Sequence, residues 1–266
     1  MSIKINNKAL QKAQINGKEV QKIVINGNTV YQVQQLVIPN YLTSYYAYTS
    51  GTSAVSQASV DNTSNLNASA QGCLVVCSSY PAFNPPQIPS LSSTNQTVTQ
   101  LTEARLKPLG WFNAAQVSTN LKVTGSSNGW SQFRCYEFDK KINKFTQIYY
   151  LANATTDALS TNISMTPGIY IIVGVSSTQH GSYSSDILNQ YTLAISIDSS
   201  IGSNITTNNE SVQTSSFGTL PKGVRQHAAI IQCNSAGQAT INFTRTGSSN
   251  KCMLYNVIVY RVDFSD

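Results

Sequence analysis

The sequence predicts an all-β protein, with an N-terminal four-stranded meander followed by two related antiparallel β-sandwich units of jelly-roll type. Three observations support this fold class. A ten-residue motif occurs three times within residues 1–34. After residue 34, short runs of β-forming residues alternate with clusters of Gly, Ser, Asn and Pro, without helical periodicity. A longer segment, residues 116–128, recurs as residues 238–250.

The N-terminal motif begins at Ile5, Ile15 and Ile25, each time with Ile-Asn-Gly or Ile-Asn-Asn. Asn-Gly between β-forming runs is a strong hairpin signal, because a type I′ turn requires positive φ at both central residues. The motif therefore predicts tight turns that contain Gly17 and Gly27, with a weaker equivalent at Asn6-Asn7. The expected strands cover about residues 2–5, 8–15, 18–25 and 28–35.

Two-residue turns fix the register, and directly opposed residues share a face. The predicted register produces one apolar row on each face of the meander. One row comprises Ile3, Leu10, Ile23 and Val30. The other comprises Ala13, Val20 and Val33. A unit of this size cannot bury both faces by itself, so residues 1–35 are predicted to dock onto another chain through these rows and turns. The alternatives are a solvated hairpin, or a β-bulge at each Gln-Lys step that returns both rows to one face.

Composition limits the functional classes. Only 11% of the residues are charged, against an average near 25%, and uncharged polar residues replace the missing charge. The net charge is +6, but residues 1–34 hold five lysines against one glutamate. These lysines lack interleaved aromatic residues and are explained by protection of sheet edges, so no nucleic-acid partner is predicted.

No apolar run approaches the roughly 20 residues that a membrane-spanning helix needs. The first residues lack the apolar segment and cleavage site of a signal peptide, so synthesis in the cytoplasm is expected. The five cysteines are scattered and are predicted to be buried thiols. Cys73 and Cys77 have no matching Cys or His pair, so neither a metal site nor another cofactor is expected.

Residues 36–145 and 146–266 are predicted to form the two sandwich units. Pro39 interrupts any strand that continues from the meander, and the cluster Tyr45-Tyr46-Ala47-Tyr48 follows it. The candidate strands are at 73–77, 116–123, 133–138, 145–151, 168–175, 191–197, 227–233, 238–245 and 253–262.

The internal repeat relates these two units. Residues 116–128 and 238–250, at an offset of 122 (238 − 116), both lead through Thr-Gly-Ser-Ser-Asn into an aromatic-bearing strand. Residues 74–79 and 194–200 provide a fainter match. This pattern favours duplication over chance similarity between polar, low-complexity segments.

The search for catalytic motifs argues against an enzyme. His180 and His227 are far apart in sequence, and no nucleophile elbow, phosphate loop or zinc-protease motif is present. His227 begins an apolar run and is interpreted as a structural histidine. Glu137 and Asp139 lie two residues apart and could pair with Glu103 or Glu210 in a glycan hydrolase, which remains the weaker alternative.

Aromatic side chains beside polar loops suggest carbohydrate binding, because saccharides stack on aromatic rings and bond to amides and carboxylates. Trp111 lies in a Gly-bounded segment, and Trp130 lies between a loop and a strand. Tyr183 and Asp186 lie in another polar segment. These four residues are the predicted ligand-binding set; the alternative is that both tryptophans belong to the core.

The pattern Ile-Asn-Gly-x-x-Val-x-Lys-Ile-x-Ile-Asn-Gly-x-x-Val-Tyr at residues 15–31 resembles an N-terminal module of virion proteins. These are tail, baseplate and accessory proteins of tailed phages that infect Gram-positive, particularly lactic-acid, bacteria. The resemblance covers about 34 of the 266 residues. It implies a virion location, an N-terminal segment that contacts other virion proteins, and C-terminal sandwiches that bind receptors or carbohydrate.

Two functions are consistent with the sequence. The first is an anchored adhesion protein, expected to be a homo-oligomer, whose sandwiches bind host cell-wall polysaccharide. The second is a purely structural decoration, neck or baseplate component that binds no ligand.

Overall fold

The computed structural model describes residues 14–15, 18–19, 22–25, 28–32, 38–50, 59–79, 89–101, 109–125, 130–151, 155, 157–178, 191–214, 222–246 and 252–265. The chain divides into two units, Met1–Val37 and Ile38–Asp266. All regular elements in the described residues are β-strands, and every strand pair is antiparallel. The predicted all-β class is therefore confirmed.

The described residues of the N-terminal unit form two hairpins. Strands β1 (Gln14–Ile15) and β2 (Lys18–Glu19) pair with Ile15 opposite Lys18. Strands β3 (Lys22–Ile25) and β4 (Asn28–Gln32) pair with Ile25 opposite Asn28. Both pairings agree with the register that the sequence predicts next to the turns, and the turn residues 16–17 and 26–27 themselves lie outside the described residues.

One predicted cross-strand pair is wrong. Ile23 lies opposite Tyr31 and Val24 lies opposite Thr29, so Val30 has no directly opposed partner. An inserted residue of this kind forms a β-bulge and shifts the register by one position. The inserted residue is Val30 of β4, which lies opposite the Ile23/Val24 step and not opposite the Gln21-Lys22 step considered above. The other predicted docking residues lie outside the described residues: Ile3, Leu10, Gly17, Val20 and Gly27.

The described residues of the larger unit form two sets of eight strands. The first set is β5 (Tyr41–Ser50), β6 (Ser59–Asn65), β7 (Gly72–Ser79), β8 (Ser90–Ser93), β9 (Thr99–Gln100), β10 (Leu109–Asn113), β11 (Ser118–Thr124) and β12 (Trp130–Phe138). The second set is β13 (Ile142–Tyr150), β14 (Leu159–Met165), β15 (Gly168–Thr178), β16 (Tyr191–Ile197), β17 (Gly202–Thr214), β18 (Lys222–Cys233), β19 (Gly237–Arg245) and β20 (Cys252–Phe264).

The two sets have the same topology. In the first, a five-stranded sheet has the order β5-β12-β7-β10-β9 and a three-stranded sheet has the order β6-β11-β8. The second has β13-β20-β15-β18-β17 and β14-β19-β16, which is the same order with each strand number raised by eight. In each set the first and last strands are neighbours, as are the second and the seventh, which is a jelly-roll arrangement.

This topology confirms the main internal repeat and corrects the fainter one. Residues 116–128 and 238–250 include the equivalent strands β11 and β19. Residues 74–79 lie in β7, whose equivalent is β15. The predicted match at residues 194–200 begins in β16. The fainter match therefore paired a strand of a five-stranded sheet, β7, with a strand of a three-stranded sheet, β16. Both are short apolar runs followed by serines, which explains the similarity.

Three apolar cores separate four layers of sheet. The first lies between the two sheets of the first jelly roll and includes Phe112 and Phe133. The second is its counterpart in the second jelly roll and includes Phe243. The third lies between the two five-stranded sheets, where Tyr136 from β12 and Tyr260 from β20 belong to one cluster. The five-stranded sheets are therefore the two inner layers.

Burial patterns follow these layers. The outer strands β11 and β19 alternate between buried and exposed residues, as expected for sheets with one solvated face. The inner strand β7 is buried at every position from Gly72 to Ser78. The five cysteines are buried free thiols, as predicted.

Side-chain amides close one side of each jelly roll in the same way. In the first, Gln100 on β9 accepts a hydrogen bond from the Leu91 backbone N–H (2.9 Å) and donates one to the Pro89 carbonyl (2.6 Å). In the second, Asn209 on the equivalent strand β17 bonds to both the N–H (2.8 Å) and the C=O (3.2 Å) of Leu193. Each amide thus joins the edge of a five-stranded sheet to the backbone of a three-stranded one.

We expect Gln100→Ala to lower the free energy of unfolding by about 1–3 kcal/mol, because it leaves two partly buried backbone groups without partners. Urea denaturation followed by fluorescence measures the change. Gln238→Ala removes an exposed amide from β19 and should change stability by less than about 0.5 kcal/mol. Equal effects of the two substitutions would show that the amide bridge contributes nothing.

Candidate functional site

The core between the two jelly rolls becomes polar at one end, where β5 and β12 meet β17, and β7 meets β18. Alternation along each strand places these side chains on the faces that oppose each other. We call this polar end the seam. It consists of Ser44, Tyr46, Ser78, Gln132, Arg134, Glu210 and Gln226.

An ion pair joins the jelly rolls at the seam. The Arg134 guanidinium donates through Nη2 to the Glu210 carboxylate and through Nη1 to Ser44 Oγ, at 2.8 Å for the latter. The side chains of Arg134 and Glu210 are 17% and 14% exposed. A charged pair at this depth requires further hydrogen bonds to offset its lost hydration, and Ser44 supplies one.

A chain of hydrogen bonds runs beside the ion pair. The Tyr46 hydroxyl donates to Gln132 Oε1 (2.6 Å), and Gln132 Nε2 donates to Ser78 Oγ (2.9 Å). Ser78 in turn donates to Gln226 Oε1 of the second jelly roll (3.3 Å). Burial raises the pKa of Tyr46 above its ordinary value, so the phenol stays protonated and keeps its role as donor.

An aromatic surface adjoins the seam. Tyr48 is 61% exposed, and its ring stacks on Tyr46 with centroids 5.7 Å apart and an interplanar angle of 24°. The Arg134 guanidinium carbon lies 5.3 Å from the Tyr46 ring centroid on the same strand pair. Tyr48 is thus an exposed ring on a support that hydrogen bonds and a cation–π contact hold in place.

Some buried atoms of the seam have no hydrogen-bond partner among the residues that the structure describes. They are Glu210 Oε2, Arg134 Nε and Gln226 Nε2. Glu210 and Gln226 are directly opposed in the β17–β18 pair. Buried polar atoms are usually satisfied, and these three atoms are exceptions that are shielded from solvent.

The ligand-binding residues predicted from the sequence lie only partly near the seam. Trp111 on β10 is half-buried and packs toward Phe145, at a ring-centroid distance of 6.3 Å, in the core between the jelly rolls. The backbone of Trp130 begins β12 opposite Ser50, at the same strand ends as the seam. Tyr183 and Asp186 lie outside the described residues.

The sequence prediction did not single out Tyr48, Tyr46 or Arg134, and it named Glu210 only as a possible carboxylate partner of Glu137 or Asp139. A signal for the tyrosines was available, because Tyr45-Tyr46-Ala47-Tyr48 is a compact aromatic cluster. Strand periodicity would have separated Tyr46 and Tyr48 from Tyr45, which packs edge-on against Phe133 in the other core. Nothing local marks Glu210 as the partner of Arg134.

A second polar cluster is structural. Ser176 Oγ lies 2.9 Å from His227 Nε2, and His227 Nδ1 lies 2.6 Å from Asn209 Oδ1. Because Asn209 Oδ1 can only accept, the imidazole carries its proton on Nδ1 and accepts from Ser176. Ser176, His227 and Asn209 follow one another in the same order as the nucleophile, base and orienting residue of a catalytic triad. However, Ser176 and His227 are both fully buried. The interpretation of His227 as a structural histidine is confirmed.

The carboxylates considered for glycan hydrolysis have separate structural partners. Glu137 is buried and accepts a hydrogen bond from the Asn67 backbone N–H (2.8 Å), and burial raises its pKa. Asp139 accepts from the Asn40 backbone N–H (2.8 Å) and side-chain amide (2.7 Å). Glu210 pairs with Arg134, and Glu103 lies outside the described residues.

In the described ranges, no group of three or more His, Cys, Asp or Glu side chains is placed to hold a metal ion. The same ranges contain no helix that could cross a membrane. Comparison with known protein families, curated proteins and solved structures found no match to this chain.

We expect His227 to make the protein sensitive to acid. Burial, followed by the nearby Arg225 charge, lowers the pKa of His227 from 6.5 to about 3. Between these values the unfolded chain binds one more proton than the folded one, so the free energy of unfolding falls as the pH falls. The slope that His227 contributes approaches about 1.4 kcal/mol per pH unit.

Urea denaturation at several pH values between about 7 and 4 measures this slope. His227→Gln should remove it, although the variant loses some stability at neutral pH. His180→Gln, which changes the other histidine of the chain, should retain it. An identical pH dependence in His227→Gln and the wild type would contradict the assignment.

Proposed function

We propose that the protein is an adhesion protein of a phage virion, anchored through its N-terminal module, and that its paired jelly rolls bind a host-surface saccharide at the seam. The observation that carries this proposal is the exposed Tyr48 ring, stacked on Tyr46 beside amide, hydroxyl and charged groups.

The chemistry of this site suits a sugar. A pyranose ring has an apolar C–H face that packs on an aromatic ring and a rim of hydroxyl groups that needs planar hydrogen-bonding partners. Tyr48 offers the aromatic face. Arg134 and Glu210, whose side chains are 17% and 14% exposed, offer the planar groups. Their mutual contacts fix the site before a ligand arrives, which reduces the entropy lost on binding.

The anchoring part of the proposal rests on the Ile-Asn-Gly repeat and its lysine-rich character. The described part of this segment forms hairpins of two strands each. Isolated two-stranded hairpins are marginally stable in water. A segment built from them therefore gains stability from contact with another chain, which is what a docking module requires.

The alternative is a purely structural component of the virion. One observation favours it, since most polar groups of the seam already bond to one another and could serve only to join the jelly rolls. That alternative gives no reason for the exposure of Tyr48.

We expect Tyr48→Ala to reduce binding to purified cell walls of lactic-acid bacteria at least about tenfold, because loss of an aromatic stacking surface costs one to a few kcal/mol. Pull-down with the full chain and a glycan array measure binding. Val117→Ala, which truncates a 63% exposed side chain elsewhere, is the matched control and should bind normally. Equal binding by both variants would favour the structural alternative, and release of reducing sugar from the walls would indicate an enzyme.

We expect deletion of residues 1–34 to leave the jelly rolls folded but to exclude the protein from assembled particles. The reason is that every described member of the three apolar cores lies in residues 38–266. Thermal melting of the truncated protein checks folding, and quantification in purified virions checks assembly. Normal incorporation would refute the docking role of this segment.

A further inference from the structure

We infer that the seam selects an uncharged saccharide, and that the Arg134–Glu210 pair determines this specificity. The inference rests on the proposed function, since it concerns the ligand of the same site. Host-surface polymers can be neutral, or they can carry phosphate or carboxylate groups. The arrangement of charge at the seam distinguishes these two classes.

The one cation of the described seam is already engaged. Arg134 uses Nη2 for Glu210, Nη1 for Ser44 and its planar face for Tyr46. The other seam side chains are uncharged, so the formal charge of the site is zero. An anionic ligand would have to displace Glu210 from Arg134 or accept repulsion from it in partly desolvated surroundings, where like charges interact strongly.

The net charge of the whole chain, unlike the seam, favours binding of anionic polymers. The net charge is +6, and five of the lysines lie in residues 1–34. Long-range attraction will therefore bind anionic polymers weakly at many surface positions, with a strong dependence on salt. Binding at the seam is therefore measured as the difference in binding between the wild type and Tyr48→Ala, which we call Tyr48-dependent binding.

The experiment compares two probes with the full chain. One is polyglycerol phosphate, an anionic polymer. The other is the neutral wall fraction left after hydrofluoric acid has cleaved phosphodiester-linked polymers from walls of lactic-acid bacteria. Tyr48-dependent binding should be retained on the neutral fraction and change less than about twofold between about 50 and 300 mM salt. It should be absent on polyglycerol phosphate.

Glu210→Gln tests the specificity determinant. It keeps the size and the acceptor oxygen of Glu210 but leaves the Arg134 charge uncompensated, so Tyr48-dependent binding to polyglycerol phosphate should appear, at about tenfold above the wild-type background, and weaken with salt. Asp61→Asn makes the same charge change at an exposed position opposite Lys122 in the outer β6–β11 pair. This control variant should show no increase in Tyr48-dependent binding to polyglycerol phosphate.

The outcomes separate the inference from the proposed function. Tyr48-dependent binding of wild-type protein to polyglycerol phosphate, or its loss after hydrofluoric acid treatment, would overturn the neutral-ligand inference while saccharide binding at the seam stands. A gain in Glu210→Gln no larger than in Asp61→Asn would overturn the role of the ion pair. If Tyr48→Ala changes binding to neither probe nor to intact walls, both proposals fail. The wild-type comparison decides the ligand class even if Glu210→Gln folds poorly.

Discussion

The structure depends on one constraint: both five-stranded sheets are apolar on both faces. A two-layer sandwich can bury only one face of each sheet, so an isolated jelly roll of this sequence would expose the side chains of the core between them. Tyr136, Ile171 and Tyr260 all belong to that core and are at most 2% exposed. Burial of each large side chain contributes roughly 1.5–3 kcal/mol. The four-layer stack follows directly, and it makes the two jelly rolls one unit.

The sequence predicted the strand-rich class, the relation between the two sandwich units and the pairing of Ile15 with Lys18 and of Ile25 with Asn28, because these depend on local patterns. It did not predict which sheets lie inside. The uninterrupted apolar run Cys73–Cys77 is the available signal, since strands buried on both faces lose their alternation. Polar strands such as β6 and β17 were missed because Asn, Ser and Asp have low strand propensity, and pairing with distant strands overrides that propensity. The register at Val30 was missed because turn rules assume that no residue is inserted.

The candidate site was harder to predict than the fold, because its side chains come from five strands of both jelly rolls. Trp111 was selected from its glycine neighbour, which suggested a loop. Gly110 instead lies within β10, where a Cβ atom would approach Leu91 Cδ2 to 2.5 Å. This glycine permits close packing, and Trp111 is consequently part of the sheet interface. Tyr48 lacks any such flanking signal, and its exposure could be recognised only after β5 had been placed at the edge of its sheet.

Divergence between the repeats explains why the interface is polar at one end. The offset of 122 that aligns the repeats places Asn256 at the position of Arg134 (256 − 122). Asn256 has a φ of 54° and lies in a β-bulge of β20 opposite Gly174, a conformation that Asn tolerates better than most residues. Arg134 instead lies in a regular ladder, opposite Tyr46 and Val76. One copy therefore has a charged side chain that reaches the facing sheet, and the other has a backbone irregularity. The apolar remainder of the interface holds both copies together, so this end was free to acquire an ion pair and an exposed tyrosine without loss of the core.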